Sequence, residues 1–171
     1  MTDAEAAGTG GYAGSNVFLA AVDPDRFAST LASPVDLDDL PERPAALADR
    51  ASARVGPVPA GDRNEQMFER MAPGDLVLCY ADGEYLGLGR VAATFEAGGA
   101  ADALWDGADV AGGYVLEDFA AVSVPARAVN SLFDYAPDYA PGGLIRVADG
   151  RVGSPLAAIR EAVERYSEQR A

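Results

Sequence analysis

The sequence of 171 residues contains no histidine and no lysine, and it has a single cysteine, Cys79, and a single tryptophan, Trp105. Without histidine, neither a histidine general base nor a serine–histidine catalytic pair can form. One cysteine excludes an internal disulfide and a zinc site built from several cysteines. No serine lies in a Gly-x-Ser-x-Gly nucleophile motif. The sequence therefore predicts a protein that is not an enzyme and that needs no metal and no cofactor.

Long apolar runs are missing too. The longest clear run, residues 17–22, is far shorter than the roughly 18 residues that a membrane span requires. Residues 1–15 are acidic and rich in glycine and alanine, and they lack the basic start and apolar stretch of a signal peptide. We expect a cytoplasmic protein with a flexible lead over residues 1–15. Residues 16–171 are long enough for one domain with its own core.

The charge is strongly acidic and unevenly distributed. All 13 basic residues are arginine, against 27 acids, which gives a net charge of −14. Such a surface predicts a halophilic protein from a high-salt cytoplasm, the alternative being an ordinary acidic protein from a GC-rich bacterium. Five arginines face four acids in residues 43–70, and residues 125–165 hold five of each. These two stretches are candidates to face phosphates, or their arginines pair with neighbouring carboxylates.

Apolar runs and turn residues predict a mixed α+β fold. Gly87 and Gly89 interrupt a strand and indicate a bulge or a close backbone approach. Asp23 is placed to cap a helix, and Asp62 is expected to cap another, with Met67, Phe68 and Met71 on one face. The predicted strands are 17–22, 76–80, 85–95, 114–124 and 144–147; the predicted helices are 24–31, 44–54, one after Asp62, 125–132 and one from 154–155; the predicted loops are 33–44, 56–61 and 96–112.

One ordered set of motifs resembles a known family. From Arg63 to Tyr80 the chain carries an Arg-Asn helix start, a Met-x-x-Gly-Asp turn and a Val-Leu-x-Tyr strand, as EVE domains do. Leu104-Trp105, Gly112 to Leu116 and Val122 to Pro125 resemble the second half of that pattern. The matching blocks cover residues 17–22 and 55–147. The sequence is thus similar to EVE and YTH domains of the PUA-like superfamily, with an insertion at about 33–54.

The resemblance implies a small mixed β-barrel, the PUA-like pseudo-barrel, with helices packed outside it. It also implies an aromatic pocket that holds one modified base, such as a methylated adenine or cytosine, in nucleic acid. Similar domains serve as specificity modules of McrB-type modification-dependent restriction systems. DNA is therefore favoured over RNA, with a nuclease or GTPase as partner or fused domain. The expected nucleobase-binding residues are Asp23, Val58, Asn64, Tyr80 and Trp105, and the expected phosphate-binding residues are Arg54, Arg63, Arg127 and Arg146.

Other functions fit the same residues. The repeated Asp-Tyr-Ala-Pro at residues 134–141 is most simply an exposed loop, but its tyrosines are also suited to a protein-interaction or small-ligand surface. A stand-alone RNA-binding domain is a third possibility on the same fold. Asp23 and Asn64 have structural interpretations as helix-capping and helix-supporting residues. Trp105, a lone tryptophan in a polar loop, favours a binding site over the core.

Overall fold

Seven strands form one mixed sheet in the computed structural model, which describes residues 16–40, 43–105 and 109–170. The order of hydrogen-bonded neighbours is β2-β3-β6-β5-β4-β1-β7, and only β1 and β4 among these pairs run parallel. The strands are β1 (Val17–Ala21), β2 (Val35–Asp36), β3 (Ser52–Pro59), β4 (Leu76–Ala81), β5 (Glu84–Glu96), β6 (Val110–Pro125) and β7 (Leu144–Arg146).

Five helices accompany the sheet in the described part of the chain. The first, α1, begins at Pro24 and continues from Phe27 to Leu31 as a π-helical turn. Its cap is Asp23, as predicted. The second does not begin as predicted: Gly61, with φ 126°, is the capping residue and Asp62 is the first helical residue. The helices are α1 (Pro24–Arg26 with Phe27–Leu31), α2 (Asp62–Glu69), α3 (Gly99–Trp105), α4 (Ala126–Leu132) and α5 (Leu156–Arg170).

The two parallel strands are buried on both faces, which explains why their sequences are apolar without alternation. In β1, Val17 and Leu19 pack into one cluster, whereas Phe18 packs into the cluster on the opposite face. Strand β4 divides in the same way, with Leu78 on the first side and Cys79 on the second. Helix α5 covers the first cluster, and α1 and α2 cover the second. Both strands were predicted within one residue of their ends.

The β4–β5 hairpin turns at Asp82-Gly83, between the strands predicted over 76–80 and 85–95. Both residues have positive φ, 51° and 85°, the backbone that a two-residue type I′ turn requires. Gly87 marks a close approach, also as predicted. A Cβ on Gly87 would lie 2.5 Å from the ring of Phe119, and the β5–β6 register shifts beside it. A ring of this size against the strand therefore needs glycine there.

Strand β3 was missed, and two predictions around it were wrong. Residues 44–54 were expected to form a helix, but only a single 3₁₀ turn forms, at Ala45–Leu47. The Gly-Pro-rich residues that follow were expected to be a loop, yet they pair with β6. Strand β2 pairs with β3 only at Ser52 and Ala53, so beyond these residues β6 is the one described strand that pairs with β3. Pro57 and Pro59 are tolerated because one side of β3 needs no ladder hydrogen bonds.

Residues 96–112, predicted as a loop, contain α3 and the start of β6. A third apolar cluster lies here, formed by residues of α3, β3 and β6 together with Leu37 and Leu47. No described helix has the length and apolar character of a membrane span. The mixed α+β class is confirmed. Among the described residues the sheet ends at β2 and at β7, so closure into a barrel is not shown.

Candidate nucleic-acid interface

The carboxyl ends of β1 and β4 meet the beginning of β7 at one edge of the sheet. Backbone hydrogen bonds join them: the Ala21 N–H donates to the Gly143 carbonyl at 3.0 Å, and the Val22 N–H donates to the Tyr80 carbonyl at 2.9 Å. Parallel strands end on the same side of a sheet, so residues that follow them are brought together. Asp23, Asn64, Tyr80 and Gly143 border this junction, and we call them the strand-end site. The Tyr80 ring packs on the side of the sheet that α5 covers, whereas Asn64 lies on α2, which covers the other side.

The two carboxylate oxygens of Asp23 differ in their hydrogen bonding. Its Oδ2 accepts hydrogen bonds from the backbone N–H groups of Asp25 at 3.0 Å and Arg26 at 3.3 Å. Its Oδ1 accepts no hydrogen bond from the described residues. The side chain is exposed. A carboxylate held by a helix N-terminus in this way is fixed in orientation and still offers an acceptor.

Asn64 joins α2 to β7. Its Oδ1 accepts a hydrogen bond from the Leu144 N–H at 3.0 Å, and its Nδ2 donates to the Ala60 carbonyl at 3.3 Å. A Cβ on Gly143 would lie 2.3 Å from Oδ1, so glycine is required for this contact. The amide retains one N–H without a partner in the described part of the chain. Asn64 is therefore both a structural link and an available donor.

Tyr80 belongs to a group of four tyrosines beside the strand-end site. Its ring meets Tyr85 edge-on, with centroids 5.3 Å apart. Tyr85 is fully buried, and its hydroxyl has no partner among the described residues. Burial, followed by the neighbouring phenols of Tyr139, Tyr80 and Tyr135, raises the pKa of Tyr85 well above its ordinary value. The group is thus compact and largely apolar.

The 134–141 loop is more ordered than the exposed loop expected from its sequence. Tyr135 and Tyr139 stack on each other at 4.2 Å, and the Arg151 guanidinium lies 4.4 Å above Tyr135. Arg151 also donates to the Phe133 and Asp134 carbonyls. Buried Asn130 holds the other end of the loop. Its Nδ2 donates to the carbonyls of Pro137 at 3.1 Å and Tyr139 at 2.9 Å.

Asn130 and Arg151 were not recognised from the sequence. Each acts on a loop several residues away, and neither lies in a motif. The only signal in the sequence for this loop was the exact repeat of Asp-Tyr-Ala-Pro. The repeat gives the two tyrosines the same position in each copy, but it does not indicate that their rings stack. The loop leads directly to Gly143, so its support also fixes one wall of the strand-end site.

Trp105 and Val58 are both buried in the core, in different apolar clusters. Trp105 is 2% exposed and parallel to Phe95, with centroids 6.4 Å apart, and its Nε1 donates to Thr30 Oγ1 at 3.4 Å. Val58 is fully buried in the cluster that contains Met71. The exposed stacking face expected of Trp105 is not presented in this conformation, because α3, which the sequence did not predict, carries the ring into the core.

The four arginines expected to bind phosphate differ in their availability. Arg54 donates to the Leu31 and Ala32 carbonyls and lies 4.7 Å above Phe119. Arg146 donates to Asn16 and pairs with Asp149. Arg63 and Arg127 are exposed, and neither guanidinium has a partner among the described residues. Arg63 is also adjacent to Asn64, at the beginning of α2.

The other side of α2 borders an acidic cleft. A cleft of about 800 Å³ is lined by Phe68 and Phe95 and by three glutamates, Glu65, Glu69 and Glu96. These carboxylates make the cleft unfavourable for a phosphate group.

Neither a metal-binding cluster nor a reactive thiol is found in the described part of the chain. No cluster of three or more histidine, cysteine, aspartate or glutamate side chains suited to a metal ion occurs there. Cys79 is buried between β-strands, and burial raises the pKa of its thiol to about 12 although the Tyr114 hydroxyl interacts with it. A thiol with so high a pKa is a poor nucleophile at neutral pH.

No family model and no curated protein sequence matches this chain. Among solved structures, it is similar to the N-terminal domain of Thermococcus gammatolerans McrB bound to m5C DNA, with a TM-score of 0.66. The similarity covers 86% of this chain and 98% of that chain, at 15% sequence identity. The two chains share a fold. The expected similarity to McrB-type domains is thus confirmed for the fold, whereas membership of the EVE and YTH group stays a prediction.

Proposed function

We propose that this protein is a non-catalytic DNA-binding module that recognises a methylated base at the strand-end site. The observation that carries the proposal is the shared fold with a domain solved on m5C DNA, over 86% of this chain. The location of the site supports it. Asp23, Asn64 and Tyr80, three of the five residues expected to contact a base, border one junction of three strands.

The groups at this junction have the chemistry to recognise a base. The second carboxylate oxygen of Asp23 accepts a hydrogen bond from an exocyclic amino group, and the remaining N–H of Asn64 donates to a ring nitrogen or carbonyl. The ring of Tyr80 offers a surface for stacking, and stacking on an aromatic residue is worth about 1–3 kcal/mol per base. Tyr139 is a further candidate for that surface. Trp105 and Val58 contribute in this proposal by supporting the sheet from the core.

The phosphate contacts in this proposal come first from Arg63 and Arg127, since their guanidinium groups are exposed and unpaired within the described residues. Arg54 and Arg146 would have to give up existing contacts and are secondary candidates. With few phosphate contacts, most of the binding free energy must come from the enclosed base. Extrusion of a base costs a few kcal/mol, so single-stranded or mismatched DNA is expected to bind more tightly than a fully paired duplex.

A reader of this kind acts through a partner that cuts or remodels DNA. We therefore propose that the protein works with a nuclease or a GTPase, as a separate subunit or as a fused domain in a modification-dependent restriction system. The PUA-like pseudo-barrel remains the proposed architecture around the pocket. A cytoplasmic location is part of the same proposal.

The test is a titration of labelled oligonucleotides that are identical except for one 5-methylcytosine, one N6-methyladenine or no methyl group. Each is measured single-stranded, paired and mismatched at the modified base, in molar potassium chloride. We expect one methylated oligonucleotide to bind at least tenfold more tightly than its unmethylated counterpart. Equal affinities throughout would contradict the proposal. If RNA oligonucleotides bind more tightly than DNA, the protein is an RNA reader. If no oligonucleotide binds, the protein-interaction module becomes the favoured function.

A further inference from the structure

A second concave site lies between α4 and α5. It is a groove of about 530 Å³ with walls from Val129, Leu132, Val163 and Pro137. Pockets that hold small molecules have volumes of about 300–1,000 Å³ and mostly apolar walls. Leu132 is the one large hydrophobic residue that is exposed in the described part of the chain, at 40%. The groove therefore leaves apolar surface in contact with water.

The groove also differs from the rest of the surface in charge. The protein has 27 acids and 13 arginines, yet the lining of the groove includes Arg127 and no carboxylate. Two of the three glutamates of α5 are paired, Glu161 with Arg165 and Glu164 with Arg160, each at 3.3 Å, and the third, Glu168, is exposed outside the lining. The lining of the groove thus carries one positive charge and no negative charge, on an acidic molecule.

Two donors at the groove lack partners among the described residues. The Arg127 guanidinium is exposed, and the Tyr166 hydroxyl, on a half-buried side chain, makes no hydrogen bond there. Ser131 also lines the groove, but its hydroxyl already donates to the Ala128 carbonyl at 2.8 Å. A guanidinium and a phenol beside an apolar surface together suit an anionic group attached to a hydrocarbon body.

We propose that the groove between α4 and α5 binds a small amphipathic anion, an aliphatic or aromatic carboxylate whose apolar body lies against Leu132 and Val163. Arg127 pairs with the anionic group, and Tyr166 donates a hydrogen bond to it. The groove shares Arg127 with the proposed phosphate contacts but contains none of the residues of the strand-end site, and anion binding to it can be measured without DNA.

The test uses 8-anilinonaphthalene-1-sulfonate, a fluorescent amphipathic anion, titrated into the full chain, with octanoate as competitor. We expect saturable binding of one probe per chain. Octanoate should displace it, whereas acetate, which has no apolar body, and octylammonium, which has the opposite charge, should not. Near-ultraviolet circular dichroism and the melting temperature establish that each protein is folded, since the probe also binds partly unfolded chains.

Two substitutions locate the probe. Arg127→Gln should weaken probe binding about tenfold, the lower end of what a lost charge-assisted hydrogen bond costs. Ala162→Phe should abolish binding by filling the groove. Arg70→Gln is the matched control, since Arg70 is also exposed and unpaired in the described residues, and it should leave the affinity unchanged.

Several outcomes would overturn the proposal. They are probe binding that does not saturate, displacement by octylammonium as effective as by octanoate, and equal affinity of Arg127→Gln and the unsubstituted protein. If Arg127→Gln weakens oligonucleotide binding but not probe binding, Arg127 is a phosphate contact and the anion site is rejected. Failure of the DNA titrations leaves the expected probe result unchanged, so the two proposals are tested separately.

Discussion

The Asn64 amide accepts a hydrogen bond from the Leu144 N–H at 3.0 Å, across 80 residues of sequence. This bond fixes the beginning of α2 against the edge strand β7. The carboxyl ends of β1 and β4 lie at the same edge, so the position of Asn64 determines the shape of the strand-end site.

Asn64→Ala should lower both stability and discrimination. The Asn64–Leu144 hydrogen bond is partly buried, so its loss should cost about 1 kcal/mol, near the low end of the penalty for an unsatisfied buried group, and the site loses a donor for the base. We expect a lower urea midpoint and a smaller ratio of methylated to unmethylated affinity. Gln66→Ala, an exposed change on the same helix, is the control and should alter neither. If Asn64→Ala reduces stability but leaves the ratio intact, Asn64 is a structural link only.

Trp105 should behave as a core residue. Trp105→Ala removes a side chain that is 2% exposed, and such changes cost about 3–5 kcal/mol because a cavity remains. Trp105→Phe should retain the contact with Phe95 and lose less stability than Trp105→Ala. Equilibrium denaturation measures both, with exposed Asp102→Asn as control. A Trp105→Phe protein of unchanged stability that no longer distinguishes methylated DNA would instead make Trp105 a base-stacking residue.

The elements that could be predicted from sequence are those with local signals. β1 and β4 are apolar runs, the Asp82-Gly83 turn has its own residue preference, and Asp23 caps the helix that follows it directly. Local chemistry decides these, so a single sequence suffices. β3 could not be predicted, because its prolines oppose a strand and its stability comes from pairing with β6, more than fifty residues away in sequence.

The site was predictable to the same extent. Asp23 and Tyr80 were named from the family resemblance, and the parallel pairing of β1 and β4, which brings the end of β1 beside Tyr80, was not predicted. The burial of Trp105 depends on α3, in which alanines that favour a helix follow Gly98-Gly99, which favour a loop, and this helix packs against Phe95 and Val115. The link from Asn64 to Leu144 and the support of Tyr139 by Asn130 depend on tertiary structure, and no local pattern encodes them.

Stability should fall at alkaline pH. Burial raises the pKa of Cys79 to about 12 and the pKa values of Tyr85 and Tyr114 well above their ordinary value. At a pH between the pKa of such a group in the unfolded chain and its higher pKa in the folded chain, the group has lost its proton in the unfolded chain but keeps it in the native chain. Rising pH therefore favours unfolding. The decline should begin near pH 9 with Cys79 and steepen above about pH 10 with the tyrosines, by about 1.4 kcal/mol per pH unit for each group.

Tyr85→Phe isolates one of these groups. The Tyr85 hydroxyl is buried without a partner among the described residues, so its removal relieves a desolvation cost. At pH 7 the substituted protein should be at least as stable as the original, and its decline above pH 10 should be shallower. Urea denaturation at pH 7, 9, 10 and 11 measures this. A large loss of stability at pH 7 would show that the hydroxyl has a partner.

Salt should stabilise the fold. At a net charge of −14, the native chain holds carboxylates close together, and unfolding relieves their repulsion. At molar salt the Debye length is about 3 Å, so this repulsion is largely screened. The melting temperature should therefore rise markedly between 0.1 and 2 M potassium chloride. Sodium sulfate at equal ionic strength separates screening from salt-enhanced burial of apolar surface. A melting temperature indifferent to potassium chloride would identify an ordinary acidic protein.

The dependence of DNA binding on salt should be shallow, and it separates a base reader from a protein that grips the phosphate backbone. Arg63 and Arg127 are available to phosphates, and at most Arg54 and Arg146 can join them. Two to four contacts give a slope of about −2 to −4 in log affinity against log salt on B-DNA. The enclosed base contributes no counterion release, so the ratio of methylated to unmethylated affinity should stay nearly constant as salt rises.

Arg63→Gln should weaken binding to both oligonucleotides alike and make the slope shallower by about 1. Asn64→Ala should instead narrow the ratio and leave the slope unchanged. A slope near −8, or a ratio that disappears as salt rises, would mean that phosphate contacts dominate and that the strand-end site does not read the base.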